Sequence, residues 1–206
     1  MIGIIDYGMG NLGSVVKGFE RVGAEARVLT DYREVKTVDR LVLPGVGAFA
    51  DAARTLRAKN FVGPILDFVA GGRPFLGICL GLQLLFDVSY EDGEHTGLGI
   101  IAGKVVPFDF SKISTATKLK IPHMGWNTLS WKRQVPMLEG LKQNCSVYFV
   151  HSYYVVPDDE AVCATLTSYG VDFTSMIWKD NVYATQFHPE KSQTVGLKML
   201  ENFARL

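Results

Sequence analysis

Residues 74–86 read Pro74-Phe75-Leu76-Gly77-Ile78-Cys79-Leu80-Gly81-Leu82-Gln83-Leu84-Leu85-Phe86. The apolar run from Phe75 to Ile78 has the length and composition of a buried strand. It meets a Gly-x-Cys-x-Gly turn at Gly77, Cys79 and Gly81, and a helical apolar run is expected from Leu80 to Phe86. Strand, tight turn and helix around a central nucleophile is the elbow pattern, with cysteine in place of serine. Glycines on either side permit the turn and a close backbone approach. A sulfur at the head of a helix meets free N–H groups that favour thiolate, the reactive form. A free cysteine is otherwise most often a small core residue, but its position between two glycines at a strand-to-helix junction favours the nucleophile.

Upstream, the pattern alternates. Ile2 to Asp6 is a short apolar strand, and a helix follows through Val15, Val16 and Phe19 to about Val22, closed by Gly23. Ala26–Thr30 and residues 40–43 read as further strands, and helices follow from Ala48 to about Arg57 and from Phe61 to Ala70. Such alternation predicts an α/β fold with an open, mostly parallel sheet flanked by helices. After Phe86, residues 87–96 are polar and read as a loop. Short strand-like runs follow at 104–108, 127–131, 146–150, 162–168, 175–178 and 182–187, as hairpins that extend the sheet to a mixed one. A last helix over about 193–205 is expected to turn Leu197, Leu200 and Phe203 to the core. With 206 residues and no repeat or linker, one domain over 1–206 is expected.

Lys plus Arg and Asp plus Glu both number 21, so the net charge is zero, which leaves no basic footprint for nucleic acid. The longest apolar stretch, 75–86, is too short to span a bilayer and contains Gln83. The opening Met1-Ile2-Gly3-Ile4-Ile5-Asp6 lacks the basic start of a signal peptide, and three cysteines without Cys-x-x-Cys spacing suggest a reducing compartment. A cytoplasmic globular protein with no membrane association is expected.

Gln186-Phe187-His188-Pro189-Glu190 follows the last strand-like run. In extended backbone His188 and Glu190, two apart, leave on the same side, and proline favours that form for the residue before it. Glu190 can then accept the Nδ1–H of His188 and leave Nε2 free to act on a thiol, which is triad logic. Pro44-Gly45-Val46-Gly47 ends the third strand. Elbow enzymes build the oxyanion hole from the N–H after the nucleophile and one from that loop, here Leu80 and Val46 or Gly47. Gln83, one helical turn beyond Cys79, is expected to touch substrate. His95 and His123 read as loop histidines, and Cys145 and Cys163 as structural. Gly8-x-Gly10-x-x-Gly13 after the first strand, with Asp31 after the second, has the layout of a dinucleotide site.

Gly77-Ile78-Cys79-Leu80-Gly81 together with His188-Pro189-Glu190 resembles the class I (triad) glutamine amidotransferases. Asp6 to Leu12, Pro44 to Phe49, Ile121 to Asn127, Tyr148 to Tyr154 and Gln186 to Gln193 extend the likeness over nearly the whole chain. They are most similar to the branch whose glutaminases serve a (β/α)8-barrel cyclase in histidine biosynthesis. Leu82 stands where that branch commonly has Met, and residues 87–96 match none of its patterns. The resemblance implies L-glutamine as substrate, hydrolysed through a Cys79 thioester, with no cofactor and no metal. It implies glutamine contacts at Gln83, Gly45, His151, Ser152 and Tyr153, and a heterodimer with the cyclase through Asn11, Trp126, Tyr148 and Lys191. It also implies weak activity alone, the 45–47 loop turning an N–H into the oxyanion site only when the partner holds its ligand. Three rival readings stay open: a triad amidotransferase with another partner, such as that of pyridoxal phosphate synthesis, a dinucleotide-dependent oxidoreductase, and a silent scaffold subunit.

Overall fold

The computed structural model describes residues 1–111 and 119–206. The first half alternates as expected: β1 (Ile2–Ile5), α1 (Leu12–Arg21), β2 (Ala26–Leu29), β3 (Arg40–Gly45), α2 (Phe49–Ala58), α3 (Val62–Ala70) and β4 (Phe75–Cys79). Asn11 caps α1 by accepting the Ser14 N–H, and Gly23, at φ +74°, turns the chain out of it. Then come α4 (Leu80–Gln83), β5 (Phe86–Ser89), β6 (His95–Thr96), β7 (Ile101–Pro107), β8 (His123–Thr128), β9 (Ser130–Trp131), β10 (Ser146–His151), β11 (Tyr153–Pro157), β12 (Cys163–Tyr169), β13 (Val171–Lys179), β14 (Val182–Thr185) and α5 (Gln193–Ala204).

Among the described residues, twelve strands form one mixed sheet. Its main path runs β2-β1-β3-β4-β14-β13-β11-β7-β5-β6, and β12 joins β13 to β9. β2, β1, β3, β4 and β14 are parallel, and β13 is antiparallel to β14. The sheet is thus a parallel half joined to hairpins, the expected class. β8 and β10 form a separate antiparallel ribbon. Successive residues of one strand enter opposite layers: Leu41 and Leu43 join Phe49, Phe61, Phe68 and Phe86, while Val42 joins Phe19, Phe149, Phe187 and Phe203.

The elbow is where packing is tightest. A Cβ on Gly81 would lie 1.8 Å from the Leu43 carbonyl oxygen, and one on Gly77 would lie 2.8 Å from that of Gly81. The two glycines are required by β3 and by the elbow itself.

Several expectations need correction. The helix after Cys79 ends at Gln83, not Phe86. Leu82, Leu84, Leu85 and Phe86 are all fully buried, so the run carries no periodicity to mark an end. Its late carbonyls are taken from outside: Leu84 O accepts from Leu98 N–H, and Leu85 O from Ile100 and Ile101. Residues 87–96 are not simply loop, because β5 pairs with β6 and, in parallel, with β7. β11 is a further strand, outside the runs expected from the sequence. In α5, Met199 is buried with Leu200 and Phe203, while Leu197 is half-buried. His123 lies in β8 and is buried.

Gly81→Ala is expected to cost about 3 kcal/mol or more through overpacking against Leu43. Gly13→Ala, where an added Cβ meets nothing within 4 Å, should be neutral or stabilising by up to about 1 kcal/mol. Denaturant unfolding of the two variants measures the contrast.

Candidate active site

Cys79 closes β4 and precedes α4 with φ 56° and ψ −108°, a conformation that costs a side-chain-bearing residue about 1–3 kcal/mol. It holds because β3 and β14 flank β4 in register, Gly45 beside Cys79 and Thr185 beside Ile78. The strain lifts the sulfur into a cavity of about 430 Å³. Lining it are Val46, Gly47, Leu80, Gln83, Val150, His151, Ser152, Tyr153 and His188, together with Glu91 and Pro122.

His188 follows β14, its N–H bonded to the Tyr148 carbonyl and its own carbonyl taking the Ser192 hydroxyl at 2.7 Å. Ser192 Oγ in turn accepts the Tyr148 N–H, tying this loop to β10. His188 Nδ1 and Glu190 Oε1 are 2.8 Å apart with both side chains buried. Carboxylate can only accept, so Nδ1 carries the hydrogen, and Nε2 faces the Cys79 sulfur without a well-aligned bond. Burial opposes a charge on the ring, but the Cys79 sulfur and the Glu190 carboxylate outweigh it and push the His188 pKa from 6.5 to about 10. Cys79, His188 and Glu190 therefore stand in one array, but Pro189–Lys191 forms a 3-10 turn rather than the expected extended chain, and that turn brings the Glu190 carboxylate back to the His188 ring. The array can take a proton from a thiol, hold it, and return it to a leaving group.

The other expected residues divide. Leu80, Val46 and Gly47 stand at the cavity wall, but Gly45 is buried behind them. Gln83 lines the cavity with its amide nitrogen already bonded to the Tyr153 carbonyl (3.1 Å) and Gln186 Oε1 (3.2 Å). Gln186 Nε2 lies 3.8 Å from the sulfur, a contact that no spacing rule foretold. His151 Nδ1 donates to the Tyr153 carbonyl (2.8 Å), so Nε2 accepts from His123 Nδ1 at 3.0 Å, and Asn127 lies at 3.3 Å from the far nitrogen of His123. Burial lowers the pKa of His151 to about 3 and of His123 to about 4, so both rings are neutral at pH 7. Glu91, in the segment without a recognised pattern, accepts the Phe49 N–H at the start of α2 (2.7 Å) and is, among the described residues, the one carboxylate at the cavity wall. Partial burial raises its pKa.

Of the partner-facing set, Trp126 and Tyr148 are register partners across the ribbon with rings 6.1 Å apart. Asn11 and Lys191 are exposed. Of the exposed large apolar residues, Val46 lines the cavity, Ile121 precedes Pro122 at its wall, and Met124 (66%) and Trp126 (49%) lie on β8. The glycine pattern 8–13 lacks the close packing of a dinucleotide cradle: a Cβ on Gly13 would meet nothing. No cluster of metal-ligating side chains occurs among the described residues.

At this cavity a cysteine elbow in a parallel sheet faces a His–Glu pair, and the chain belongs to the glutamine amidotransferase class-I family, whose model matches residues 3–206. It is 59% identical to imidazole glycerol phosphate synthase subunit HisH of Syntrophotalea carbinolica over 98% of both chains. It is 57% identical to the same subunit of Aquifex aeolicus over 98% of this chain and 95% of that one. Likeness at this level groups the chain with the HisH subunits of that synthase, an enzyme of more than one subunit. Among solved structures, PurLQS from Thermotoga maritima shares the fold alone, at TM-score 0.76 and 16% identity over 99% and 97% of the two chains.

The raised His188 pKa makes a signed prediction. Its contribution to stability is full below the unfolded value near 6.5 and is lost as pH rises through about 10. Glu190→Gln removes one stabilising partner, so the loss should begin at lower pH. Following the His188 ring by NMR against pH checks it, and a wild-type midpoint near 6.5 contradicts it.

Proposed function

We propose that the chain is the glutaminase subunit of imidazole glycerol phosphate synthase, one cytoplasmic domain over residues 1–206 acting on L-glutamine without cofactor or metal. The observation that carries the reading is Cys79 in its strained elbow, facing a His188 that Glu190 holds at 2.8 Å. Sγ attacks the carboxamide carbon, and the thiol proton resides on His188. The oxyanion takes N–H groups from Leu80 and from Val46 or Gly47, each donor of this kind worth a factor of ~10²–10³. The C–N bond breaks as His188 protonates the departing nitrogen, leaving ammonia and a Cys79 thioester. Water, deprotonated by His188, then releases glutamate and the thiol.

Substrate selection follows from the wall. Glu91 offers the negative charge for an α-ammonium group, while Gln83 and Gln186, bonded to each other, shape the polar wall beside the sulfur. His151, Ser152 and Tyr153 bound the other side. Gly45 supports the loop from behind.

Ammonia set free in water is protonated and loses its nucleophilicity, so a receiving partner at the mouth is chemically sensible. The partner in this reading is a (β/α)8-barrel cyclase. It uses the ammonia to make imidazole glycerol phosphate and aminoimidazole carboxamide ribotide in histidine biosynthesis. Met124, Trp126 and Ile121 are exposed apolar side chains of the kind that mark an interface, and in this reading Asn11, Tyr148 and Lys191 face the partner with them.

Glutamate release, measured on the chain alone, with the cyclase, and with the cyclase and its nucleotide ligand, tests the whole reading. A large rise in the last case, abolished by Cys79→Ala, is expected. Activity indifferent to the cyclase points to a different amidotransferase partner. Glu91→Gln keeps an acceptor for Phe49 but removes the charge. It should raise KM for glutamine about tenfold with kcat largely kept, the loss of a charge-assisted bond.

A further inference from the structure

Tyr7 follows β1 and is fully buried, yet its hydroxyl has no hydrogen-bond partner among the described residues. Such a group is costly to bury, and a phenylalanine would fill the same space without that cost. The ring is gripped by an apolar cluster that includes Leu43, Phe49 and Leu80. Beside it, Asp6 Oδ1 accepts the Gly8 N–H at 2.8 Å and folds the chain closely around Tyr7. The hydroxyl ends 2.6 Å from where a Cβ on Gly45 would stand, in a space that Leu80 Cβ and Gly81 N also approach. It therefore lies directly behind the segment whose other side, Val46 and Gly47, lines the cavity with Cys79. Burial, and then the charge of Cys79, raise its pKa well above the usual phenol range, so the group keeps its proton and stays a donor.

The N–H and C=O of a trans peptide point in opposite directions. A peptide in 45–47 that aims its N–H at the oxyanion must turn its carbonyl away from the cavity, into the interior. A carbonyl turned inward needs a donor, and the Tyr7 hydroxyl is a buried donor at that place with none of its own bonds made. We propose that Tyr7 is a positioning residue of the oxyanion hole: its hydroxyl donates to the inward carbonyl of the Gly45–Gly47 segment and so holds the opposite N–H toward the substrate. The inference rests on the glutaminase reading above. It explains why a tyrosine, rather than a phenylalanine, stands under the loop.

Tyr7→Phe in the complex with the cyclase and its nucleotide ligand tests it, beside wild type and Cys79→Ala. Glutamine hydrolysis by wild type that Cys79→Ala abolishes establishes the underlying reading first; its absence removes that reading rather than the role of Tyr7. Given that activity, Tyr7→Phe is expected to lower kcat about tenfold with KM unchanged. The thermal midpoint should stay the same or rise. Alkylation of Cys79 by iodoacetamide, followed by mass spectrometry, forms no oxyanion and should proceed at the wild-type rate. Wild-type kcat in Tyr7→Phe overturns the proposal. So does a fall in thermal midpoint or in alkylation rate, since either means that the hydroxyl serves the resting fold or the sulfur itself.

Discussion

One backbone conformation governs the molecule. Cys79 sits at positive φ because two parallel neighbours hold the end of β4 and because Gly81 presses against the Leu43 carbonyl with no room for a methyl group. The cost of that geometry is met by the apolar layers on either side of the sheet, where Phe49, Phe68 and Phe86 lie on one face and Phe19, Phe187 and Phe203 on the other. Burial of whole aromatic side chains at ~1.5–3 kcal/mol each outweighs a strain of ~1–3 kcal/mol at one residue. A large core is thus a condition of the elbow, and the elbow a condition of a sulfur that lines the cavity.

Around the sulfur the polar groups are arranged by charge. His188 stands between the sulfur and a buried carboxylate and is drawn toward the cationic form, while His151 and His123, bonded to each other and buried with no carboxylate partner among the described residues, are driven to the uncharged form by burial. Identical side chains within one cavity and the wall behind it are separated by what each ring nitrogen faces. The His151–His123 pair keeps β8 and β10 in register at the point where Val150 and His151 wall the site.

Much of this was legible in the sequence, for identifiable reasons. The parallel half is made of short apolar strands punctuated by glycine, so its elements and the elbow could be read locally. The closeness of His188 and Glu190 was legible from their two-residue spacing, but its cause was not: a 3-10 turn at Pro189–Lys191, not extended chain, joins them. What escaped is what depends on distant partners. The end of α4 is set by Leu98 and Ile100 drawing away the carbonyls of Leu84 and Leu85, which no local pattern records. Glu91 lies in a polar segment without periodicity and reaches the cavity only because β5 and β6 fold back toward α2. The burial of His123 likewise required its cross-strand partner, and Gln186 became a neighbour of the sulfur only through the pairing of β14 with β4.

The ribbon of β8 and β10 alternates strictly. His123, Asn127, Phe149 and His151 turn to the body, where the two histidines meet; Met124, Trp126 and Tyr148 turn outward. Odd-numbered positions therefore answer to the interior of this chain, and even-numbered ones lie on the other face, where Val150 meets the cavity and Met124 and Trp126 are exposed. Substitutions at Met124 and Trp126 can thus alter the outer face while the cavity wall at Val150 and His151 is kept. The two strands separate a packed face from an open one by the width of a single pleat.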